Sequence, residues 1–312
     1  MTKIAIIGAG IAGLACARNL AQAGVQAVVF DKGRGIGGRV ATRRAGNLRF
    51  DHGAPYVTAK GDDFAKCLRG LIGTGHAAPW IDGSGNTWTV GRPGMSEIAK
   101  GMAIGLDVRL GTQITAINAD NVGWRLHHDG AEYAASHVVM TVPQPQVVGL
   151  LGRAHPIVDQ IADVNMAPGL TLMAAVSGAV PLARSNPTDG LLALLTRDCS
   201  KPDRPQNEGS SWVAQAEIEF SLAHLEKDLP DIAVLMVPLL CERLDIMPDR
   251  VTHAVAHRWR YSRVSKALGH PFVCTPSGTL YLGGDWCVGP QIEDAWTSGT
   301  AIAADMLERG VC

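Results

Sequence analysis

Residues 3–7 read Lys-Ile-Ala-Ile-Ile, an uninterrupted apolar run. Such a run suits a strand buried on both faces of a parallel sheet rather than one with a wet side. An alanine-rich stretch follows from Ile11 to Ala23 and predicts a helix, which Gly24 ends. A second apolar strand, Gln26 to Phe30, stops at Asp31. Further along, Val108–Ile117 alternates as one strand and Gly123–His128 as the next. His137–Val142 reads as another buried strand, closed by Pro143 and Pro145. Gly91–Ser96 is a turn into a helix with Ser96 as its N-cap. From 150 to 270 short apolar runs mix with loops, among them the polar, proline-bearing stretch 197–209. No repeat or low-complexity tract is present. The strand Thr279–Leu282 and a helix from Ala295 to Arg309 complete the pattern.

The junction of the first strand and helix carries chemistry. Gly8-Ala9-Gly10-Ile11-Ala12-Gly13 is a G-x-G-x-x-G motif in a strand–turn–helix–strand setting. Gly8 permits the tight turn, Gly10 lets a pyrophosphate approach the backbone, and Gly13 lets helix and strand pack closely. The helix N-terminus offers free N–H groups and a positive dipole to phosphates. Asp31 ends the second strand, where a carboxylate can accept both hydroxyls of an adenosine ribose. A dinucleotide is the expected ligand. Lys32 follows the acid, and a second glycine-rich loop runs to Gly37-Gly38-Arg39. Two glycines bring backbone to a pyrophosphate, and a guanidinium adds charge-assisted hydrogen bonds. Gly33-x-Gly35-x-x-Gly38 repeats the glycine spacing, but no apolar helix opens after it.

With Gly37-Gly38-Arg39 in place, the chain resembles the FAD-dependent amine-oxidase superfamily. Within it, Lys32–Arg39, the segment Phe50–Ala59, Gly91–Ser96, His257–Tyr261 and Gly284–Gly299 occur in an order similar to that of the bacterial renalase family. The resemblance implies an α/β fold, a two-domain flavoprotein of the amine-oxidase/hydroxylase kind. A Rossmann-type FAD-binding domain, discontinuous over 1–56, 93–150 and 272–312, would adjoin an α+β substrate domain built on an antiparallel sheet from 57–92 and 151–271. It implies noncovalent FAD, with Ala54 and Pro55 near the flavin ring and Ile114 (or Gln113) at the adenine. Asp285 would lie at the ribityl or phosphate part, with Glu293, Ala295 and Trp296 at the start of the last helix. It also implies an oxidase that returns 2- or 6-dihydro-NAD(P) to NAD(P)+ by hydride transfer to flavin N5, with O2 reduced to H2O2. Substrate-pocket candidates are Tyr56, Arg258, Trp259, Tyr261 and Trp286. Along a strand His257, Trp259 and Tyr261 share one face, and Arg258 and Arg260 the other. An amine oxidase or desaturase, or a flavin protein without turnover, are the competing classes.

Composition narrows the partners. The chain has 312 residues, 36 of them glycine, and a formal net charge of −1. No basic field recommends nucleic acid or an anionic membrane. Seven cysteines include no C-x-x-C pair, which excludes a redox dithiol and a thiolate zinc site of ordinary spacing. His127 and His128 are strand neighbours facing opposite sides, so no metal site is expected. Scattered free cysteines suit a reducing compartment, so a cytoplasmic protein is expected. Covalent flavin attachment through Cys274 or Cys287 is a minor alternative.

Overall fold

The computed structural model describes residues 2–121, 123–180, 184–185, 190–205 and 209–312. Strand Ile4–Ile7, buried at every position, lies in the middle of a six-stranded sheet. Ala27–Phe30 and His137–Met140 flank it in parallel. Asp107–Arg109 lies beyond the first, Leu280–Gly283 and then antiparallel Phe272–Cys274 beyond the second. Both faces are covered, which accounts for the unbroken apolar run. Ile4 and Ile6 pack with Leu20 of helix Ile11–Gln22 and with Ile302 and Met306 of helix Ile292–Glu308. Ala5 and Ile7 pack with Ile117 and Leu126 of a three-stranded antiparallel sheet, Ile114–Asp120, Gly123–His128 and Ala131–Ala135.

The expected single strand 108–117 is two. Asp107–Arg109 pairs in the parallel sheet and Ile114–Asp120 in the antiparallel one. Between them Gly111 takes φ +66°, a left-handed conformation that ends a strand. The Gly111 and Thr112 N–H groups donate to the carbonyls of Gly33 and Asp31, so this break braces the second glycine loop.

A five-stranded antiparallel sheet forms the other half, ordered 184–185, Leu192–Arg197, Gly209–Ala216, Asn165–Ser177 and Val251–Lys266. One face packs on helix Leu229–Leu244 through Ile232, Met236 and Leu240. On the other, Met173 and Val213 pack on Phe50 of the hairpin Thr42–Ala45/Leu48–Asp51. The segment 57–92 departs from expectation. Phe64, Leu68 and Leu71 stripe one face of helix Asp62–Gly73 and pack with Ile11, Leu14 and Val40 rather than with the antiparallel sheet. We therefore assign 57–92 to the unit of the parallel sheet. Among the described residues no helix is long and apolar enough to cross a membrane.

A buried charge cluster fastens the halves together. The Asp51 carboxylate accepts from Lys201 Nζ (2.8 Å), the Arg204 guanidinium, Thr42 Oγ1 (2.7 Å) and the Met95 N–H (2.9 Å). Asp198 ion-pairs with Lys201 (2.5 Å) and accepts the Asp51 N–H (2.8 Å). All four charged residues are buried. The stretch 197–209, expected as a polar loop, places Asp198, Lys201 and Arg204 in the core; 206–208 lie outside the described residues. Met95, not Ser96, is the N-cap of helix Ser96–Ala103, and the Ser96 N–H donates to Thr42 Oγ1.

Lys201→Met would leave two buried carboxylates sharing one guanidinium. Removing one member of a buried ion group costs about 3–5 kcal/mol. The urea midpoint should fall accordingly with an unchanged slope. A midpoint near that of the parent would show that the cluster adds little to stability.

Candidate functional site

A cavity of about 1260 Å³ opens where the C-terminal ends of Ile4–Ile7 and Ala27–Phe30 face the antiparallel sheet. Open α/β sheets bind ligands at this end of their strands. The volume exceeds the roughly 300–1,000 Å³ usual for small-molecule pockets.

At one end lies the first glycine turn. Gly8 holds φ +110°, which L side chains rarely adopt. A Cβ on Gly13 would lie 2.0 Å from the Gly8 carbonyl oxygen, so the helix starts in contact with its own turn. The helix begins at Gly10 with no side-chain cap and no acid in its first turn. Gly8, Gly10, Ile11 and Ala12 line the cavity, whereas Ala9 and Gly13 shape the turn behind it. Free N–H groups at a positive helix end are an anion site. Asp31 lines the cavity beside Lys32 and Ile114. Its Oδ2 accepts the Ala9 N–H (2.7 Å) and its Oδ1 the Gly33 N–H (2.6 Å), joining the two glycine loops. A carboxylate has about four acceptor sites, which leaves capacity for ribose hydroxyls. The Gly37 N–H donates to the Ala9 carbonyl (2.9 Å), seating the second loop on the first.

Arg39 and Asp285, expected as separate ligand contacts, form a bidentate pair at 2.6 and 2.5 Å. Gly38, Arg39 and Asp285 all line the cavity. The Arg39 guanidinium also donates to the Ser262 carbonyl (3.1 Å), and its own carbonyl accepts the Ala54 N–H (2.9 Å). A Cβ on Gly53 would lie 1.9 Å from that carbonyl oxygen, so only glycine admits the approach that brings Ala54 and Pro55 to the cavity.

Three expected contacts lie elsewhere. Trp286 is fully buried in the core, its indole N–H donating to the Val142 carbonyl (3.0 Å). Trp296 packs on Phe64, and Glu293 accepts the Lys60 and Gly61 N–H groups, both at 2.7 Å. The last helix starts at Ile292, three residues before its expected start, with a capping box between Gln291 and Asp294. Ala295 lines the cavity. Cys287 is buried in the core, and its thiol is pushed up by burial. Neither it nor Cys274 is among the lining residues.

The far end is walled by rings. Tyr56 lines it and packs on Trp88 at 4.2 Å between centroids. Opposite are His257, Trp259 and Tyr261, with Arg258 and Arg260, all on the edge strand Val251–Lys266. Residues of both alternating sets therefore line the cavity. Arg260 is bidentate to Glu226, and Arg258 donates to the Lys227 carbonyl (2.6 Å). Neither His52 nor His257 was among the expected pocket residues, although alternation places His257 on the strand face of Trp259 and Tyr261. His52 stacks on Trp259 at 5.2 Å, and its carbonyl accepts the Trp259 indole N–H (2.9 Å). The only sequence signal for His52 is its place beside Gly53.

Burial, then His257 beside it, brings the His52 imidazole down to about 4. Lys201 and Arg204 hold Asp51 low against its burial, while burial and Asp51 push Asp198 up. The His52 shift has a consequence for stability. Its unfolded value is near 6.5, so between pH 6.5 and 4 the unfolded chain binds the proton that the folded one refuses. Stability should fall as acid is added, by about 2 kcal/mol from pH 7.5 to pH 5 for this group alone. Urea midpoints at both pH values, for the parent and His52→Gln, check this. An equal drop in the two proteins would remove His52 as the cause.

Comparison with known proteins agrees with this geometry. Residues 6–71 match the model of the NAD(P)-binding Rossmann-like domain, and 71–307 that of flavin containing amine oxidoreductase. Over 55 residues the chain is 40% identical to 4,4'-diapophytoene desaturase of Staphylococcus aureus strain Newman, 18% of this chain but only 11% of that enzyme. A putrescine oxidase variant superposes with a TM-score of 0.76 at 14% identity, covering 99% of both chains. Cyclohexylamine oxidase from Brevibacterium oxydans IH-35A does so at 0.73 and 13% identity, covering 99% of both. An uncapped helix start, a ribose-reaching acid and a second docked glycine loop fit FAD. With the amine-oxidoreductase match spanning 71–307 and the cavity built as that cofactor requires, the chain belongs to the flavin-containing amine oxidoreductases.

Proposed function

We propose that this FAD-dependent oxidoreductase is an oxidase of isomeric dihydronicotinamide dinucleotides, returning the 2- or 6-dihydro forms to NAD(P)+. The observation that carries the reading is the company of Trp259: Arg258, Arg260 and Arg263 all line the same stretch of cavity. A planar ring with phosphates attached calls for an aromatic wall next to guanidinium groups. A cationic amine would gain nothing from guanidiniums, of which Arg258 and Arg260 already face Glu226.

The balance is dihydronicotinamide plus H+ plus O2 giving the nicotinamide cation and H2O2. The flavin supplies the two-electron acceptor, which O2 then reoxidises. A hydride leaves the ring carbon with both electrons, so no side chain need take a proton from it. The chain's part is to orient the ring and exclude water. Trp259 is fixed by its bond to the His52 carbonyl, and Tyr56 by its packing on Trp88. Ala54 and Pro55 are held at the cavity by the Gly53–Arg39 contact.

A second reading, oxidation of an amine, is favoured by the whole-chain likeness to putrescine and cyclohexylamine oxidases. Glu217 lines the cavity and offers a carboxylate to such a substrate.

Anaerobic mixing separates the two. The 2- and 6-dihydro isomers should bleach the yellow enzyme far faster than ordinary 4-dihydro NADH. Hydride transfer needs the donor carbon within about 3–3.5 Å of its acceptor, and a pocket presenting C2 or C6 misplaces C4. Oxygen should restore the colour with formation of peroxide. Bleaching by amines alone would establish the second reading.

Asp31→Ala should weaken FAD retention by about 1–3 kcal/mol, through ribose hydroxyls and two backbone N–H groups left unpartnered. Titration of the apoprotein with FAD measures this. An unchanged affinity would take Asp31 out of the site.

A further inference from the structure

The hydride step makes a cation from a neutral substrate, whether the product is a nicotinamide ring or an iminium. Any residue facing that group must tolerate a positive charge arising during the reaction. We propose that His257 fixes the charge tolerance of the pocket: as a neutral imidazole set against Trp259 it admits a planar ring that becomes a cation, and once protonated it excludes one. This rests on the hydride-transfer reading above.

The geometry is specific. His257 lines the cavity, and its ring meets Trp259 at 4.4 Å and 68°, edge to face. It meets His52 at 4.6 Å and 85°. The three rings form one wall, and Trp259 is the side chain best suited to lie against a cation. The group opposite His257 across the sheet is the uncharged Thr171. From the hairpin side the titratable and charged groups are His52 and Arg43. Burial first, and then the Arg43 guanidinium, disfavour a proton on His257. The wall is therefore neutral at neutral pH.

The test uses holoenzyme in the oxidised state and two ring probes, neutral nicotinamide and the N-methylnicotinamide cation. Binding is read from the flavin absorbance between pH 8 and 5, with flavin retention checked at each pH. Nicotinamide should bind with a pH-independent affinity. The cation should bind at pH 8 and weaken severalfold by pH 5, with a midpoint below the ordinary histidine value of 6.5. In His257→Gln, and in His257→Phe as a second neutral variant, that weakening should vanish, so that the ratio of nicotinamide to cation affinity is the same at pH 8 and pH 5. Rates of flavin reduction by the true substrate should lose their acid limb in the same two variants. A limb that persists in both would overturn the role of His257. So would binding of both probes without a pH split in the parent, and either result leaves the proposed function standing. Failure of both probes to bind at any pH would remove the ring subsite, and with it the proposed function.

Discussion

Arg39 is the point on which the site depends. Its carbonyl oxygen receives the Ala54 N–H across the gap that Gly53 leaves open, which sets the segment 53–55 beside the second glycine loop. Its guanidinium grips Asp285, at the head of the C-terminal segment, and the Ser262 carbonyl on the edge strand of the antiparallel sheet. Parts of the chain 223 and 246 residues apart thus meet on one side chain. A planar, permanently charged fork can satisfy a carboxylate and a carbonyl together, which lysine cannot do with the same geometry. Cofactor cradle and substrate wall are mechanically one object at this residue.

The buried cluster around Asp51 does for the outer frame what Arg39 does inside. Asp51 immediately precedes His52 and Gly53, so its anchoring by Lys201, Arg204 and Thr42 fixes where that segment leaves the hairpin. Two carboxylates and two cations enter the core together, a near-neutral group whose members compensate one another's desolvation. Its charge is spent entirely within the protein, and nothing of it is offered to the cavity.

Much of this was legible in the sequence where a local pattern has a local cause. The unbroken run at residues 4–7 signals burial on both faces, and the six-stranded sheet has helices on one side and a β-meander on the other. The glycine spacing at 8–13 signals a turn that a helix touches, and the Gly13–Gly8 approach is that contact. What eluded the reading is set by tertiary partners. Trp286 and Trp296 sit in a motif rich in site residues, yet Trp286 is buried in the core and Trp296 packs on Phe64, and neither lines the cavity. Asp198, Lys201 and Arg204 look like a solvated run because nothing in the sequence announces that Asp51, some 150 residues earlier, waits to pair with them. The strand face of His257, Trp259 and Tyr261 was readable from alternation. That Arg258 and Arg260 also line the cavity is set by tertiary packing, which alternation does not report.

The electrostatics of the cavity run in one direction. At the glycine end an uncapped helix start, Lys32 and the backbone N–H groups favour an anionic ligand, while Asp31 ties the two glycine loops through the Ala9 and Gly33 N–H groups. At the ring end the imidazoles stay neutral through burial, and the guanidiniums stand at the rim, Arg260 already answered by Glu226. A cation forming between such walls meets aromatic faces rather than fixed positive charge. A phosphate-bearing tail would find its countercharge only farther out. On the proposed reading, that spacing of neutral rings inside and cations outside would suit a substrate uncharged at its reacting ring and anionic elsewhere.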